Sequence, residues 1–453
     1  MRKSYEIDMC RGPLLSRILL FAVPLICSGV LQLVFNATDI IVVGRFVGSE
    51  AMAAVGSTSS LISLLVNFFI GISVGANVLV ARFRGANDFD DAQETVQTAL
   101  ITALAGGFIL IAAGMLLARP MLVWMATPAE VLDQAVLYMR VYFIGMPATM
   151  LYNFGAAILR AVGDTRRPLY FLTLAGVANV AGDLFFVIVL HMGVAGVAAA
   201  TVLSQIVSAA LIMLCLMRQD GMCNVNLKRM RFHRDKFARM MQVGLPAGLQ
   251  SVIFNISNVL IQSSVNSFGA TVVAGNTAAS NIEGFVYTAM NALYQTSLSF
   301  TSQNMGAKQF RRIDQVLARC LVIVLLIGLT LGNGAHLLGQ SLLGIYSGES
   351  EVIGYGMMRL GVVSVTYCLC GMMDVVAGSV RGLGYSILPM LVSLVGACVF
   401  RVVWIFTVFQ WQHTLFSLYV SYPISWALTL CAHLACYFVV RRRVFPRGTA
   451  DAA

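Results

Sequence analysis

Twelve long apolar runs constrain this chain more than anything else in it. They lie near residues 14–46, 51–81, 93–118, 131–160, 168–191, 194–217, 240–267, 271–304, 313–346, 351–380, 386–410 and 413–440. A helix needs about 20 residues to cross the hydrocarbon core, and each run is long enough. The runs do not alternate apolar with polar residues, so they read as helices rather than barrel strands. Several exceed the bilayer thickness and are expected to tilt or protrude. Composition agrees: 58% of the 453 residues are hydrophobic and 11% charged, against about 25% charged in soluble domains. The sequence thus predicts an all-α membrane protein with twelve transmembrane helices.

The net charge of +10 does not indicate nucleic-acid binding, because its placement is topological. Arg2, Lys3, Arg11 and Arg17 precede the first run. Arg82 and Arg84 follow the second, and Arg160, Arg166 and Arg167 the fourth. The basic stretch 218–239 follows the sixth, Lys308, Arg311 and Arg312 the eighth, Arg381 the tenth, and Arg441–Arg443 the twelfth. These loops all fall on one side, which the positive-inside bias makes cytoplasmic, with both termini. The expected location is the cell's plasma (inner) membrane, multi-pass. The N-terminal run is too long for a signal peptide and reads as an uncleaved span. The ten cysteines are scattered, several inside apolar runs as small hydrophobes. Cys368 and Cys370 form a CxC with no partner set for a metal.

The chain also repeats itself. Pro24 matches Pro246, and Asn36 matches Asn258, 222 positions on. "RGANDF" (84–89) matches "MGAKQF" (305–310), and Arg160 and Gly163 match Arg381 and Gly384, at 221. Two copies of an even number of spans run parallel, related by an axis along the membrane normal. The expected organisation is an N-lobe at 1–218, a solvated basic cytoplasmic linker at 219–239 and a C-lobe at 240–453, enclosing a central cleft.

"PLICSGVLQLVFNATDIIVVGRFVGSEAMAAVG" (24–56), "QNMGA" (303–307) and the Arg-x-x-Gly turns ending spans 4 and 10 resemble the multidrug and toxic compound extrusion (MATE) family over nearly the whole chain. The resemblance implies a cation-driven antiporter that expels organic, often cationic, compounds. It is nearest to the DinF-like branch, and so implies a coupling site of Asp39 on span 1, Asn179 and Asp183 on span 5, and Thr201 on span 6. The Glu that the NorM-like sodium branch carries on span 7 has no counterpart here, which favours protons over sodium. An Asp on span 10 of that branch resembles Asp374.

The residues themselves support the same cluster. Asp39 is nine residues before Gly48, and Asp183 nine before Met192. Both are about 13 Å below the outer ends of their spans. Asn179 is one turn from Asp183, and Asn36 is three residues from Asp39, so both amides share a face with an acid. Intramembrane acids are expensive and functional by default. A proton or a sodium ion shared by the pair relieves their repulsion and lets helices repack. Pro24 and Pro246, at matching positions, are expected to kink spans 1 and 7.

In the C-lobe, Asp374 is shallower from the cytoplasm and separate from that cluster; its repeat partner is Asn153. Asp374 and Glu283, deep in span 8, are expected to face a cavity and receive a cationic substrate, with Asn153 at the matching N-lobe position. Arg401 is expected to pair with Asp374 or Glu283. Arg140 and Arg359 read as interfacial. The 26 Phe and 23 Met permit an adaptable, broad lining.

These features predict a secondary active exporter of organic cations working by alternating access. No GxxxxGK[ST] loop is present, and no nucleophile–base pair suggests an enzyme. No cofactor is expected beyond the coupling ion, H+ with Na+ as the alternative. The partners are small organic cations and the bilayer. The oligomeric state stays open, a monomer being compatible. A lipid-linked glycan flippase of related architecture is the first rival, though it would line its cleft with cations. A receptor or channel is the second, and the duplication disfavours it.

Overall fold

A computed structural model describes residues 5–125, 127–219 and 221–445. Arg2, Lys3 and residue 220 of the basic stretch lie outside the described residues. No strand occurs among those described. Twelve helical segments carry the fold: α1 (Leu14–Val47), α2 (Ser49–Ala86), α3 (Phe89–Trp124), α4 (Ala129–Ile144 with Met146–Ala161), α5 (Arg166–Val189), α6 (Gly193–Arg218), α7 (Arg234–Asn266), α8 (Ala270–Gly306), α9 (Phe310–Leu337), α10 (Ser350–Ser364 with Tyr367–Gly382), α11 (Ile387–Trp411) and α12 (Leu415–Val444).

Nine of these are long and apolar enough to cross a membrane, and eleven when each bent pair counts as one span. The twelfth, α8, is helical for 37 residues. It is less apolar than the others because it carries polar groups buried inside the protein, among them Asn276, Glu283, Thr296, Ser299, Gln303 and Asn304. With no water in the bilayer, backbone groups must be satisfied internally, which selects helices. Span hydroxyls bond back to the preceding turn for the same reason, as Thr102 does to Thr98 O and Thr296 to Ala292 O.

The duplication is visible in the breaks. α4 bends by 50° at Gly145, and α10 by 42° at the matching place. Pro24 and Pro246 lie within α1 and α7. Two compact units result, one of Met1–Ile7 with Cys27–Gly248, the other of Asp8–Ile26 with Leu249–Ala453. The compact units therefore do not coincide with the sequence halves: each takes the opening segment of the other half's first helix. Both borders fall two residues past the matched proline.

In the first unit, the opening segment of α7 lies backbone to backbone on α2. A Cβ on Gly75 would sit 2.1 Å from the Met240 carbonyl oxygen, and one on Gly244 would sit 2.5 Å from that of Ile72. Small residues allow such close approach between membrane helices. In the second unit, Phe21 of α1 meets Phe300 of α8 edge to face at 5.5 Å. Met9 N donates to Gln303 Oε1 at 3.0 Å, and Arg312 donates to the carbonyls of Met9, Arg11 and Gly12 at 3.0–3.1 Å.

The stretch 219–233 is not the solvated connector expected. Met222, Cys223 and Val225 are buried. Asn224 and His233 are tied to α3 through Gln93 and Thr98. The physical reason is local: the basic residues Lys228, Arg229 and Arg231 are exposed while Met222, Cys223 and Val225 turn inward. Burial pushes the Cys223 thiol up to about 12.

Candidate functional site

Asp39 and Asp183 meet in the first unit. A glycine notch sets their register. A Cβ on Gly176 of α5 would fall 1.9 Å from the ring of Phe35, so only glycine leaves room for that ring. Phe35 is one turn before Asp39 on α1, and Gly176 is two turns before Asp183 on α5. The same faces thus bring the carboxyl groups close enough to interact. Gly182 brings α6 close, since a Cβ there would lie 3.1 Å from that of Ala200.

Asp183 is fully buried and Asn179 is 5% exposed. Asp39 Oδ1, both Asp183 oxygens and Asn179 Nδ2 are buried without a well-formed hydrogen bond. Buried polar groups are normally paired, so the cluster presents hard oxygen acceptors that a proton or small cation would satisfy. Each acid is followed closely by a π-helical turn, Val43–Val47 and Phe185–Val189. Such turns interrupt the regular ladder and recur at functional sites.

The expected cluster is incomplete in two respects. Asn36 is exposed rather than folded in with the acids: three residues back along a helix leaves a ~60° offset, enough to turn it aside. Thr201 stands beside the α5–α6 contact, but its hydroxyl donates to Val197 O of its own helix at 3.0 Å. Two groups not expected from the sequence join the site. Tyr138 lies within electrostatic reach of both carboxylates and Tyr142 of Asp39. Their rings stack at 6.0 Å. The sequence signal for them is the i, i+4 tyrosine pair just before the Gly145 break.

In the second unit, Glu283 does not face a cavity as a free acid. Arg359 grips both its oxygens, Nε to Oε1 at 3.1 Å and Nη2 to Oε2 at 2.7 Å. Arg359 Nη1 donates to Asn276 Oδ1 at 2.8 Å, and Tyr419 donates to the same oxygen at 3.3 Å. Arg359 is therefore a buried residue, 7% exposed, and not the interfacial one expected. Its position near a span end agrees with the sequence; its facing, turned inward on bent α10, does not. Arg401 pairs with neither acid. It stacks on Tyr422 at 4.2 Å and Trp426 at 5.6 Å because Glu283 is already engaged.

Asp374 is half-buried on α10 near Tyr287 and Arg381. Arg381 itself is held by Tyr294 at 2.8 Å and by Gln250. Asn153 donates to Thr149 O of its own helix at 3.0 Å. Among the described residues, no three His, Cys, Asp or Glu side chains converge as a metal group.

Helices broken at matched places, with polar groups sequestered inside each unit, define an all-α polytopic membrane protein of duplicated halves. The sequence model of the MatE family matches residues 24–185 and again 246–407, two stretches of equal length 222 residues apart. The chain belongs to the MatE family of membrane transporters. It is similar to the probable multidrug resistance protein YoeA of Bacillus subtilis (strain 168), 26% identical over 94% of each chain. It also resembles a FAD transporter of Shewanella oneidensis, at 24% identity over 92% of each chain. A multidrug resistance MATE family transporter solved in an outward-facing conformation superposes with a TM-score of 0.89 at 22% identity, covering 98% of this chain and 99% of that one. A MOP superfamily transporter from Pyrococcus furiosus does so with the same score and coverage. These structural likenesses establish the fold.

Proposed function

We propose that this protein is a secondary active exporter, an antiporter with the residue pattern of the DinF-like branch, in the plasma membrane with both termini cytoplasmic. A proton, with sodium as the alternative, enters from outside and occupies the Asp39/Asp183 pair beside Asn179. Binding removes like-charge repulsion between two acids held in a low-dielectric site. The helices carrying them, α1 and α5, then settle into a different packing, and an organic compound leaves outward. One charge moving down 100 mV supplies about 2.3 kcal/mol, roughly 50-fold accumulation.

The observation that carries this reading is the pairing of a fully buried Asp183 with Asp39, three of their oxygens lacking a partner. The names of relatives such as YoeA, and of the multidrug export protein MepA of Staphylococcus aureus, 18% identical over 83% of each chain, support organic compounds as cargo. Cationic cargo fits Asp374, the acid left free once Glu283 is engaged. The rival receptor, channel and glycan-flippase readings offer no use for the carboxyl pair.

The test is export of a fluorescent organic cation from vesicles, with a proton and a sodium gradient imposed separately. The expected result is export driven by the proton gradient and abolished by Asp39→Asn. Export that persists when both acids are neutralised overturns the reading.

A further inference from the structure

The stretch that joins α6 to α7, with the opening turns of α7, carries basic side chains that the protein itself does not use. Lys228, Arg229, Arg231, Arg234 and Arg239 are all exposed, and none of them forms an ion pair among the described residues. Basic residues nearby and at other helix ends are engaged: Arg84 holds Glu6, Lys236 lies between Asp91 and Glu94, and Arg441 holds Asp314. The exposed acid of the stretch, Asp235, lies 3.5 Å from Lys236 and balances none of the five. Arg234 opens α7, where the positive end of the helix offers a cation nothing.

α3 fixes the level at which this stretch stands. Arg231 N donates to Gln97 Oε1 at 3.1 Å, and His233 N donates to Thr98 Oγ1 at 3.2 Å. Residues 99–118 of α3 follow at once and carry no charge; their length matches one crossing of the ~30 Å hydrocarbon core. Residues 231–233 therefore stand within one helical turn of the hydrocarbon boundary. Between the two bonded residues, Phe232 is 46% exposed, and Leu227 is 54% exposed. Phe232 is steadied by Phe237, whose ring centre lies 5.3 Å away. A connector bathed only in water has no use for two such side chains among its charges. Aromatic and basic side chains together at this depth suit a headgroup layer: rings and apolar stems enter the upper acyl carbons, and charges stay at the phosphates.

We propose that residues 227–234 form a docking surface for anionic phospholipid of the leaflet in which α6 ends and α7 begins. Lys228, Arg229, Arg231 and Arg234 receive the phosphodiester groups, and Leu227 and Phe232 enter the edge of the acyl region. A zwitterionic headgroup brings its own cation and leaves these side chains less well matched, so the surface discriminates lipids by net charge. The proposal requires a chain embedded in a bilayer; it requires neither the coupling ion nor the cargo proposed above.

The experiment is amide hydrogen exchange, read by mass spectrometry, on the full-length protein in nanodiscs of phosphatidylcholine alone or of phosphatidylcholine mixed with phosphatidylglycerol. In the wild type, exchange across 227–232 is expected to slow at least about tenfold when the anionic lipid is present, within what three basic side chains at an anionic surface supply. The triple variant Lys228→Gln, Arg229→Gln, Arg231→Gln changes exposed side chains only and is expected to lose that slowing. Leu227→Ser with Phe232→Ser is expected to lose part of it. Exchange in the wild type that ignores lipid charge overturns the proposal, whatever the variants do. Slowing that survives in the triple variant overturns it, as does equal slowing at the loop 306–309, which would make it a general effect of anionic lipid. Glycerol 3-phosphate that gives the same protection in phosphatidylcholine nanodiscs reduces the surface to a site for small soluble phosphates and also overturns it. Failure of vesicle export with this protection intact counts against the function alone.

Discussion

Arg359 and Glu283 form a two-bond ion pair buried between α10 and α8, with N···O distances of 3.1 and 2.7 Å. Both side chains are less than 10% exposed. Removing one partner leaves the other charge buried and unpaired, which costs about 3–5 kcal/mol. Glu283→Gln is therefore expected to lower the thermal midpoint in detergent sharply. The double variant Glu283→Leu, Arg359→Met leaves no orphaned charge and should recover most of the loss. Thermal unfolding monitored by tryptophan fluorescence measures both. A single variant as stable as the wild type would remove the structural role assigned to the pair.

Asp39 and Asp183 have the opposite character, because two like charges held together oppose folding. When both are ionised, their repulsion at an effective dielectric of about 20 is on the order of 1–4 kcal/mol. Asp183→Asn removes it. The variant is expected to be more stable than the wild type. It should nonetheless fail to export. Unfolding midpoints, beside vesicle transport, separate this outcome from ordinary structural damage, which would lower stability and activity together.

Much of this arrangement is legible in the amino-acid order. Span ends track apolar run length, and the 221–222 offset gives the duplication and the matched bends. Asp39 and Asp183 are recoverable from depth alone, since helical rise is regular. Facing is where sequence reasoning loses its grip. A π-helical turn adds a residue and rotates the remainder of its helix by about 100°, and bends at Gly145 and in α10 redirect whole segments. Arg359 thus turns from the interface to Glu283, and Tyr138 and Tyr142 reach the acids with little sequence warning. Arg401 finds aromatic faces instead of an acid because a nearer guanidinium holds Glu283. The exchange of opening segments between units depends on backbone contacts such as Gly75 with Met240, which no local pattern encodes.

The N-terminal segment offers a test outside the bilayer-embedded sites. Arg312 donates to three carbonyls, those of Met9, Arg11 and Gly12. Hydrogen bonds from a charged donor are worth about 1.5–3 kcal/mol each where they are not replaced by water. Arg312→Ala should free residues 8–12 locally without unfolding the helices. Trypsin cleavage after Arg11 is then expected to accelerate at least about tenfold, the equivalent of one such bond, with the thermal midpoint little changed. Arg312→Lys, which keeps charge but only one donor position, should fall between. Cleavage at wild-type rates in the alanine variant would mean the segment is held by Gln303 and Asn304 alone.

Gly176 and Phe35 give the strictest test of how the carboxyl pair is aligned. A methyl on Gly176 would fall 1.9 Å from the Phe35 ring, far inside van der Waals contact. In Gly176→Ala the ring must leave its notch, and α1 must move away from α5. Overpacking of this kind costs about 1–3 kcal/mol, which a span of this length tolerates. The functional loss should be larger, because Asp39 moves with Phe35 and the two acids no longer share an ion. Transport is expected to fall at least about tenfold while the protein still folds, and a change of about 1.4 kcal/mol in the alignment equilibrium is enough for that. Phe35→Ala on the Gly176→Ala background reopens the space and should restore export. A double variant as inactive as the single would mean that Gly176 matters for its own backbone and that the ring does not set the register of the pair.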